Sequence, residues 1–207
     1  MTADSTIFYL IRHGQIDANI RRLWHGSTDS KLNAIGESQV EEMAKHVSGK
    51  HPEISAVYCS PLSRTHNTAI PLAKQLKLEA VPDHNLREYG IGELEGTHFD
   101  ELTEQHQFFE EIASDQDYAP EGGESVNQVG ERMLESFHNL RDRHQGQSIA
   151  IVSHGAAIGI VLTRLLDKRV YPFDDYHMVN TGYTKLNWSS EPYLEFFNVT
   201  DHLSPMD

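Results

Sequence analysis

The feature that most constrains the fold is an apolar run near the start of the sequence, Ile7 to Ile11, which stops abruptly at Arg12-His13-Gly14. Five residues of this kind have the length and the β-propensity of a strand that is buried on both faces. If the strand belongs to a parallel sheet, the next three residues lie at the carboxyl edge of that sheet, where open α/β sheets bind ligands. The sequence therefore predicts a ligand site at the end of the first strand.

A second apolar run ends in the same way. Ser148 to Val152 reads as a strand and is followed by Ser153-His154-Gly155, so that a His-Gly pair closes both runs. Because the ends of parallel strands meet at one edge of a sheet, we expect His13 and His154 to contribute to a single site.

The rest of the chain alternates between helical and strand-like segments, which is typical of an α/β domain. Gln15 to Asn33 and Val81 to Gly96 lack periodicity and are predicted to be irregular. Helices are predicted at Ala34 to Ser48 (ended by Gly49), Leu62 to Leu76, Phe99 to Ile112, Val126 to about His144, and Ala156 to Leu166. Further strands are predicted at Ile54 to Cys59 and in a closing hairpin of Tyr183 to Trp188 and Tyr193 to Val199. The length of 207 residues suits one domain over residues 1–207.

Composition limits the kind of partner. The formal net charge of −14 disfavours binding to nucleic acid or to an anionic membrane. Cys59 is the single cysteine, and no stretch approaches the roughly 20 apolar residues of a membrane span, so a cytoplasmic protein is expected. No metal-binding spacing of histidines occurs, and neither a metal nor another cofactor is expected. The expected partner is a small molecule; a homodimer is left open.

The residues around the two histidines favour phosphoryl transfer. A neutral imidazole can attack an electrophile, and a neighbouring guanidinium favours the neutral form because it disfavours a second positive charge. Arg12 also suits phosphate, whose oxygens accept two parallel hydrogen bonds from a guanidinium. Arg64 is predicted in the first turn of the helix after the strand that ends at Cys59, where free N–H groups would add to an anion site. With His13 and His154, these groups could hold a phosphate dianion.

These residues belong to a longer set that resembles the histidine phosphatase superfamily, also called phosphoglycerate mutase-like. The resemblance extends from residue 7 to about residue 182. It rests on Leu10-Ile-Arg-His-Gly14, Asn19, His25-Gly26 with Asp29 and Leu32, Ser60 with Arg64, Thr68 and Ala69, Glu88, Glu95-Gly96 and Ser153-His154-Gly155. It implies a three-layer α/β/α sandwich on a mixed, mostly parallel sheet.

The resemblance also implies a role for each matching residue. His13 corresponds to the nucleophile that becomes phosphohistidine, and Glu88 to the general acid that protonates the leaving alcohol. A bound phosphate dianion favours the protonated form of a neighbouring carboxyl, so we expect turnover to be fastest below neutral pH. The implied phosphate clamp and the other substrate- or phosphate-binding residues are Arg12, Arg64, His154, Asn19, His25, Gly26 and Gly155.

Three functions are compatible with these residues: a phosphomonoester hydrolase, a phosphoglycerate mutase and a catalytically silent binder of phosphorylated ligands. A lid-like insert at about 88–131 contains thirteen Asp or Glu residues and neither Lys nor Arg. The resemblance implies that mutases of the family bind the second anionic group of their substrate through Lys and Arg side chains of the corresponding insert. Because this insert has neither, the hydrolase is favoured. If these acids face the site, the preferred leaving group is neutral or cationic; alternatively, they lie on the solvent face of the 99–112 helix.

A few positions depart from the family pattern or have two interpretations. Gln15-Ile16 replaces the usual Glu-Thr after Arg-His-Gly, and His25 stands where Gln is usual, which puts specificity rather than chemistry in question. Trp24 is expected either to stack on a substrate ring or to pack against the domain. Arg21-Arg22 is expected either to touch substrate or to be solvated.

Overall fold

A six-stranded sheet forms the centre of the molecule in the computed structural model, which describes residues 5–203. The strand order is β3-β2-β4-β1-β5-β6; β1 to β4 run parallel, and β5 and β6 pair antiparallel at one edge. The sheet is therefore mixed and mostly parallel, as expected. The strands are β1 (Thr6–Arg12), β2 (Ile54–Cys59), β3 (Ala80–Pro82), β4 (Ser148–Ser153), β5 (Tyr183–Trp188) and β6 (Pro192–Val199).

Helices cover both faces of the sheet. The long ones are α2 (Ala34–Lys50), α3 (Ser63–Leu76), α6 (Val126–Arg143) and α7 (Gly155–Leu166). The short ones are α1 (Asp17–Ile20), α4 (Phe99–Glu104) and α5 (Phe108–Ser114), with 3₁₀ turns at His84–Leu86, Gly92–Leu94 and Asp174–Tyr176. The three-layer α/β/α sandwich is thus confirmed.

The alternating side chains of β1 join two cores. Ile7, Tyr9 and Ile11 pack with α2 and α3 on one face, whereas Phe8 and Leu10 pack with α6 and α7 on the other. Since successive side chains of a strand point to opposite faces, a continuous apolar run is what a strand buried on both sides requires. The prediction made from this run is confirmed.

Four local predictions differ from the structure. The segment Gln15 to Asn33, predicted to be irregular, contains the short helix α1 (Asp17–Ile20). The helix predicted over 99–112 is two helices, because Gln107 adopts a left-handed backbone with φ 50° between α4 and α5. Gly49 does not end α2, which continues to Lys50. The edge strand β3 was not predicted, because three residues are too few to show an alternating pattern and Pro82 suits only an edge.

Candidate active site

Three strand ends meet at one edge of the sheet. β4 lies between β1 and β2, and the register pairs Arg12 with Ser153 and Cys59 with Val152. His13 and His154 directly follow the first pair, and their ring centroids lie 5.3 Å apart. The predicted convergence of the two His-Gly strand ends is therefore confirmed.

His13 is held in one tautomer. Its ring is 3% exposed, and Nδ1 lies 2.7 Å from the carbonyl oxygen of Gly14. A carbonyl only accepts hydrogen bonds, so Nδ1 carries the proton and Nε2 keeps its lone pair. Burial, followed by the charges of Arg64 and Arg12, lowers the pKa of His13 well below 6.5. The ring is thus a neutral base with a free nucleophilic nitrogen at neutral pH.

His154 is fixed in the opposite tautomer. Arg64 Nε donates to His154 Nδ1 at 3.2 Å, and because a guanidinium only donates, the imidazole proton must be on Nε2. That Nε2 is buried and has no hydrogen-bond partner among residues 5–203. Burial lowers the pKa of His154 well below 6.5, with Arg64 and His13 acting in the same direction. The result is a neutral N–H donor beside His13.

Arg12 supplies a second unpartnered donor. Its Nη1 donates to the carbonyl of Met178 at 2.5 Å, whereas its Nε is buried and unpaired within the described chain. The guanidinium lies against Gly155, where a Cβ atom would be 3.3 Å from Cζ of Arg12. Gly155 thus gives the arginine room beside the first turn of α7.

Arg64 is turned toward protein groups. Its side chain is 0% exposed, and besides His154 it donates to the carbonyls of Thr28 at 2.8 Å, Gly26 at 2.8 Å and His25 at 3.0 Å. In this arrangement Arg64 orients His154 and holds the 25–28 loop.

The carboxylate of Glu95 holds the same loop through its amides. It accepts from the backbone N–H groups of Gly26 at 2.9 Å, Ser27 at 3.0 Å and Thr28 at 3.2 Å. A Cβ atom at Gly26 would lie 2.0 Å from the carbonyl oxygen of Tyr89. Glycine is required there because the backbone of the loop touches another segment.

Glu88 lies at the N-terminus of α7. Its carboxylate accepts from the backbone N–H groups of Ala157 at 2.8 Å, Tyr89 at 2.9 Å and Ala156 at 3.2 Å. Amides at the start of a helix lack partners within the helix, so a carboxylate is well placed there. The carboxyl group is half-buried and faces the same cavity as His13.

Arg132 fixes the segment that carries Glu88. Its guanidinium donates to the carbonyls of Arg87 at 2.7 Å, Asn85 at 2.8 Å and Glu88 at 2.9 Å. It also makes a two-pronged contact with the carboxylate of Glu124, at 2.7 and 2.9 Å. Sequence reasoning missed this residue, because an arginine on an amphipathic helix is expected to be solvated.

Residues 8–200 match the histidine phosphatase superfamily, branch 1. The chain belongs to the histidine phosphatase superfamily.

Several named proteins resemble this chain over nearly all of its length. A probable phosphoglycerate mutase of Serratia proteamaculans is 32% identical over 188 residues, which are 90% of this chain and 86% of that protein. The phosphoserine phosphatase of Entamoeba histolytica, solved with 3-phosphoglyceric acid, is 27% identical with a TM-score of 0.85 and covers 96% of this chain and 100% of that one. Mycobacterial glucosyl-3-phosphoglycerate phosphatase, in a complex with VO3, is 25% identical with a TM-score of 0.80, and the match covers 94% of this chain and 99% of that one.

A cavity of about 420 Å³ opens beside His13, within the size range of small-molecule sites. Six predicted site residues line it: Arg12, His13, Asn19, His25, Glu88 and Gly155. The other lining residues are Ile16, Leu23, Trp24, Phe99, Phe109, Ala156, Tyr171, Phe173, Asp174 and His177. The structure therefore brings most of the predicted residues together, and it adds an apolar surface that the sequence did not indicate.

Asn180 orients Asn19 in the candidate site. Its Nδ2 donates to the side-chain oxygen of Asn19 at 3.1 Å and to the carbonyl of His13 at 3.0 Å. The same oxygen of Asn19 accepts from the N–H of Ile16 at 3.1 Å, so the amide NH2 of Asn19 is the group left for the cavity. Asn180 was not predicted, because it lies in an irregular segment without a motif.

One prediction about the surroundings of the site is wrong, and one of the three positions that depart from the family pattern lies outside the cavity. The N-terminus of α3 is not free for an anion, because Asp29 accepts from the backbone N–H of Ser63 at 2.8 Å and from its hydroxyl at 2.6 Å. Gln15 does not line the cavity; its side-chain oxygen accepts from Asn33, which caps α2. The substrate side is reached by Ile16 instead.

The open interpretations of the loop after His13 are resolved by exposure. Trp24 is 6% exposed and donates from Nε1 to the carbonyl of Tyr89 at 3.0 Å, so it packs in the domain and shows only part of its ring to the cavity. Arg21 and Arg22 are exposed and lie outside the cavity lining, and Arg22 pairs with Asp100 at 2.9 Å. Both arginines are surface cations.

The acids of the 88–131 insert face solvent. Ten of the thirteen are exposed, and in the described chain only Glu88 of this set lines the cavity. The remaining half-buried members, Glu95 and Glu124, hold the 25–28 loop and Arg132. The interpretation in which the acidic insert faces the substrate is therefore wrong, and the solvent-face alternative is correct.

Two features are absent from residues 5–203. No helix there is both long and apolar enough to cross a membrane. No three His, Cys, Asp or Glu side chains of this part of the chain are grouped so as to hold a metal ion.

Proposed function

We propose that this chain is a phosphomonoester hydrolase that works through a phosphohistidine on His13. One observation carries the proposal: a buried, neutral imidazole with a free Nε2 lies beside two buried donors, Arg12 Nε and His154 Nε2, that have no partner in the described residues. A phosphoryl group needs a nucleophile in line and donors for its oxygens, so these groups suit its transfer.

The proposed reaction has two displacements. In the first, Nε2 of His13 attacks phosphorus; an N–P bond forms while the ester P–O bond breaks, and Glu88 gives its proton to the leaving oxygen. In the second, water attacks phosphorus while Glu88 takes one of its protons. The N–P bond then breaks, inorganic phosphate leaves, and both His13 and Glu88 return to their starting states.

The other residues have distinct roles in this proposal. Arg12, His154 and the amide of Asn19 bind the phosphoryl oxygens, since each has a donor free for that purpose. Arg64 acts by positioning His154 and adds positive potential to the site. We infer that the whole chain forms one catalytic domain, in which α4 and α5 cover the cavity.

The lining of the cavity favours hydrolysis over a mutase reaction. Arg12 is the only Arg or Lys side chain among the described lining residues. In the proposed reaction it binds the transferred phosphoryl group, so no cation is left for a second anion. A mutase must also hold a second anionic group of its substrate, and a desolvated anion without a cation is unstable. A silent binder is disfavoured because the groups needed for both displacements are present.

The test is turnover of phosphate monoesters with a chelator present, followed by analysis of the trapped enzyme. Wild type should hydrolyse p-nitrophenyl phosphate and carry a phosphoryl adduct on His13 after rapid quenching, whereas His13→Ala should show neither. Glu88→Gln should lower turnover of an alkyl ester by about 10²–10⁴-fold, because the alkoxide then leaves unprotonated. His106→Ala, at an exposed position, is the matched control and should be unaffected. Wild-type turnover by His13→Ala would refute the proposal.

A further inference from the structure

Beyond the phosphate end, the cavity has an aromatic wall built from three segments. Trp24 comes from the loop after β1, Phe99 from α4 and Phe109 from α5. The ring of Trp24 lies 5.3 Å from that of Phe99 and 6.2 Å from that of Phe109, and the two phenylalanines stack at 6.4 Å. The indole N–H is satisfied by Tyr89, so this wall is apolar.

A second wall faces it from the segment between α7 and β5. Tyr171 and Phe173 line this side of the cavity. Arg169 holds the segment by donating to the carbonyl of Pro172 at 2.5 Å and pairing with Asp175 at 2.6 Å. The carbonyl of Phe173 reaches α7 only because Gly159 has no side chain, since a Cβ there would lie 2.6 Å from that oxygen. This wall therefore has a fixed place against α7.

One hydrogen bond joins the two walls. The hydroxyl of Tyr171 donates to the carbonyl of Phe109 at 3.3 Å. This bond satisfies the hydroxyl of Tyr171 and leaves its ring as cavity lining. The distal end of the cavity is thus bounded on two sides by aromatic rings.

Few charged side chains line the cavity. Of the described lining residues, Arg12 and Glu88 are charged and act on the phosphoryl group in the proposed reaction; the remaining one, Asp174, follows Phe173 of the second wall and is negative. His25 and His177 also line the cavity, and burial lowers the pKa of both below 6.5, so they are neutral at neutral pH. A carboxylate or second phosphate on the leaving group would find no cation there.

We infer that the aromatic walls are a leaving-group subsite, and that the substrates are monophosphates of hydrophobic alcohols or phenols without a second anionic group. This inference rests on the proposed function and names the substrate class of the same site. The energetic basis is that apolar surface removed from water between such walls stabilises the complex in proportion to its area.

A homologous series of ligands tests the subsite separately from the hydrolysis reaction. Hydrolysis is measured for n-alkyl phosphates from ethyl to hexyl, and binding is measured by calorimetry for the corresponding n-alkyl phosphonates, which cannot be hydrolysed. Each added methylene should tighten binding and raise kcat/KM about 3- to 4-fold, or on the order of 100-fold across the series. Butyl phosphate should be a better substrate than 3-phosphoglycerate.

Variants of the aromatic walls test whether these rings cause the increase in binding and in kcat/KM with chain length. Phe109→Ala should flatten the dependence on chain length while leaving ethyl phosphonate binding within about 3-fold. Phe99→Ala, at a side chain that is 36% exposed, provides a second variant in case Phe109→Ala does not fold. Tyr193→Ala removes an aromatic ring that is 56% exposed and lies outside the cavity, so it should leave the chain-length dependence unchanged.

The outcomes separate the two proposals. Hydrolysis with no dependence on chain length, or a preference for 3-phosphoglycerate, overturns the subsite and leaves the hydrolase standing. Phosphonate binding that tightens with length, with no hydrolysis of any ester, overturns the hydrolase and supports the subsite. A chain-length dependence that both wall variants retain in full also overturns the subsite.

Discussion

Arg132 offers a direct test of how the Glu88 segment is positioned. The substitution Arg132→Met keeps most of the side-chain volume and removes five hydrogen bonds: two to Glu124 and three to the carbonyls of Asn85, Arg87 and Glu88. The arginine side chain is 11% exposed and that of Glu124 is 27% exposed. Loss of one partner of a buried ion pair costs about 3–5 kcal/mol, and the partial exposure of Glu124 places the expected loss near the lower limit, at about 3 kcal/mol.

The effect on activity should depend on the leaving group. Displacement of a catalytic group by about 1 Å can cost roughly 10²-fold in rate, so alkyl phosphate hydrolysis by Arg132→Met should fall about 10- to 100-fold. p-Nitrophenyl phosphate releases a stable anion that needs no proton, and its hydrolysis should fall less than about 3-fold. Urea unfolding gives the stability, and steady-state kinetics with the two esters gives the selective loss.

Arg22→Met is the matched control. Arg22 pairs with Asp100 at 2.9 Å, but the two side chains are 61% and 55% exposed, so its loss should change stability by less than about 1 kcal/mol and leave both activities intact. If Arg132→Met lowered hydrolysis of the two esters by the same factor, or destabilised the protein no more than the control, the positioning role would be refuted.

Two further predictions concern packing and pH. Gly26→Ala should cost several kcal/mol of stability and most of the activity, because its Cβ would lie 2.0 Å from a carbonyl oxygen. Gly49→Ala, with nothing within 4 Å of the new Cβ, should instead stabilise α2 by about 0.5–1 kcal/mol. Thermal unfolding compares the stabilities of the two variants. Burial lowers the pKa of His202 from 6.5 to about 4. The unfolded state therefore binds more protons between these pH values, so the free energy of unfolding should fall as pH drops from 6.5 to 4, and this contribution should be constant above 6.5. His202→Gln should make the free energy of unfolding depend less steeply on pH, by up to about 1.4 kcal/mol per pH unit. Urea unfolding at several pH values measures this dependence, and an unchanged dependence would contradict the contribution of His202.

The meeting of the two histidines at one sheet edge could be predicted because it depends on local pattern. An apolar strand followed by Arg-His-Gly places His13 at the edge of a sheet whatever the details of packing, and the second run does the same for His154. The strand register then determines that the two rings meet. The layered fold followed from the same runs and from the resemblance to a known family.

What could not be predicted depends on contacts between distant segments. Arg132 reaches carbonyls 44 to 47 residues away, and a solvated arginine would have the same sequence context. The break at Gln107 gave no signal, because left-handed residues other than glycine are uncommon and the apolar spacing continues across it. Counting the acids of the 88–131 insert could not show that most of them face solvent.

The position of β1 has a consequence for how the protein loses activity. The strand lies between β4 and β5, and Phe8, Tyr9, Leu10 and Ile11 are 0% exposed, so it cannot open without disrupting both cores. Local opening of such a strand costs as much as global unfolding, whereas short surface helices open at lower cost. On heating, α4 and α5, which carry Phe99 and Phe109 of the first aromatic wall, should therefore loosen before His13 moves. A partly loosened molecule would keep the proposed nucleophile in place while losing the discrimination between leaving groups that we infer for the walls.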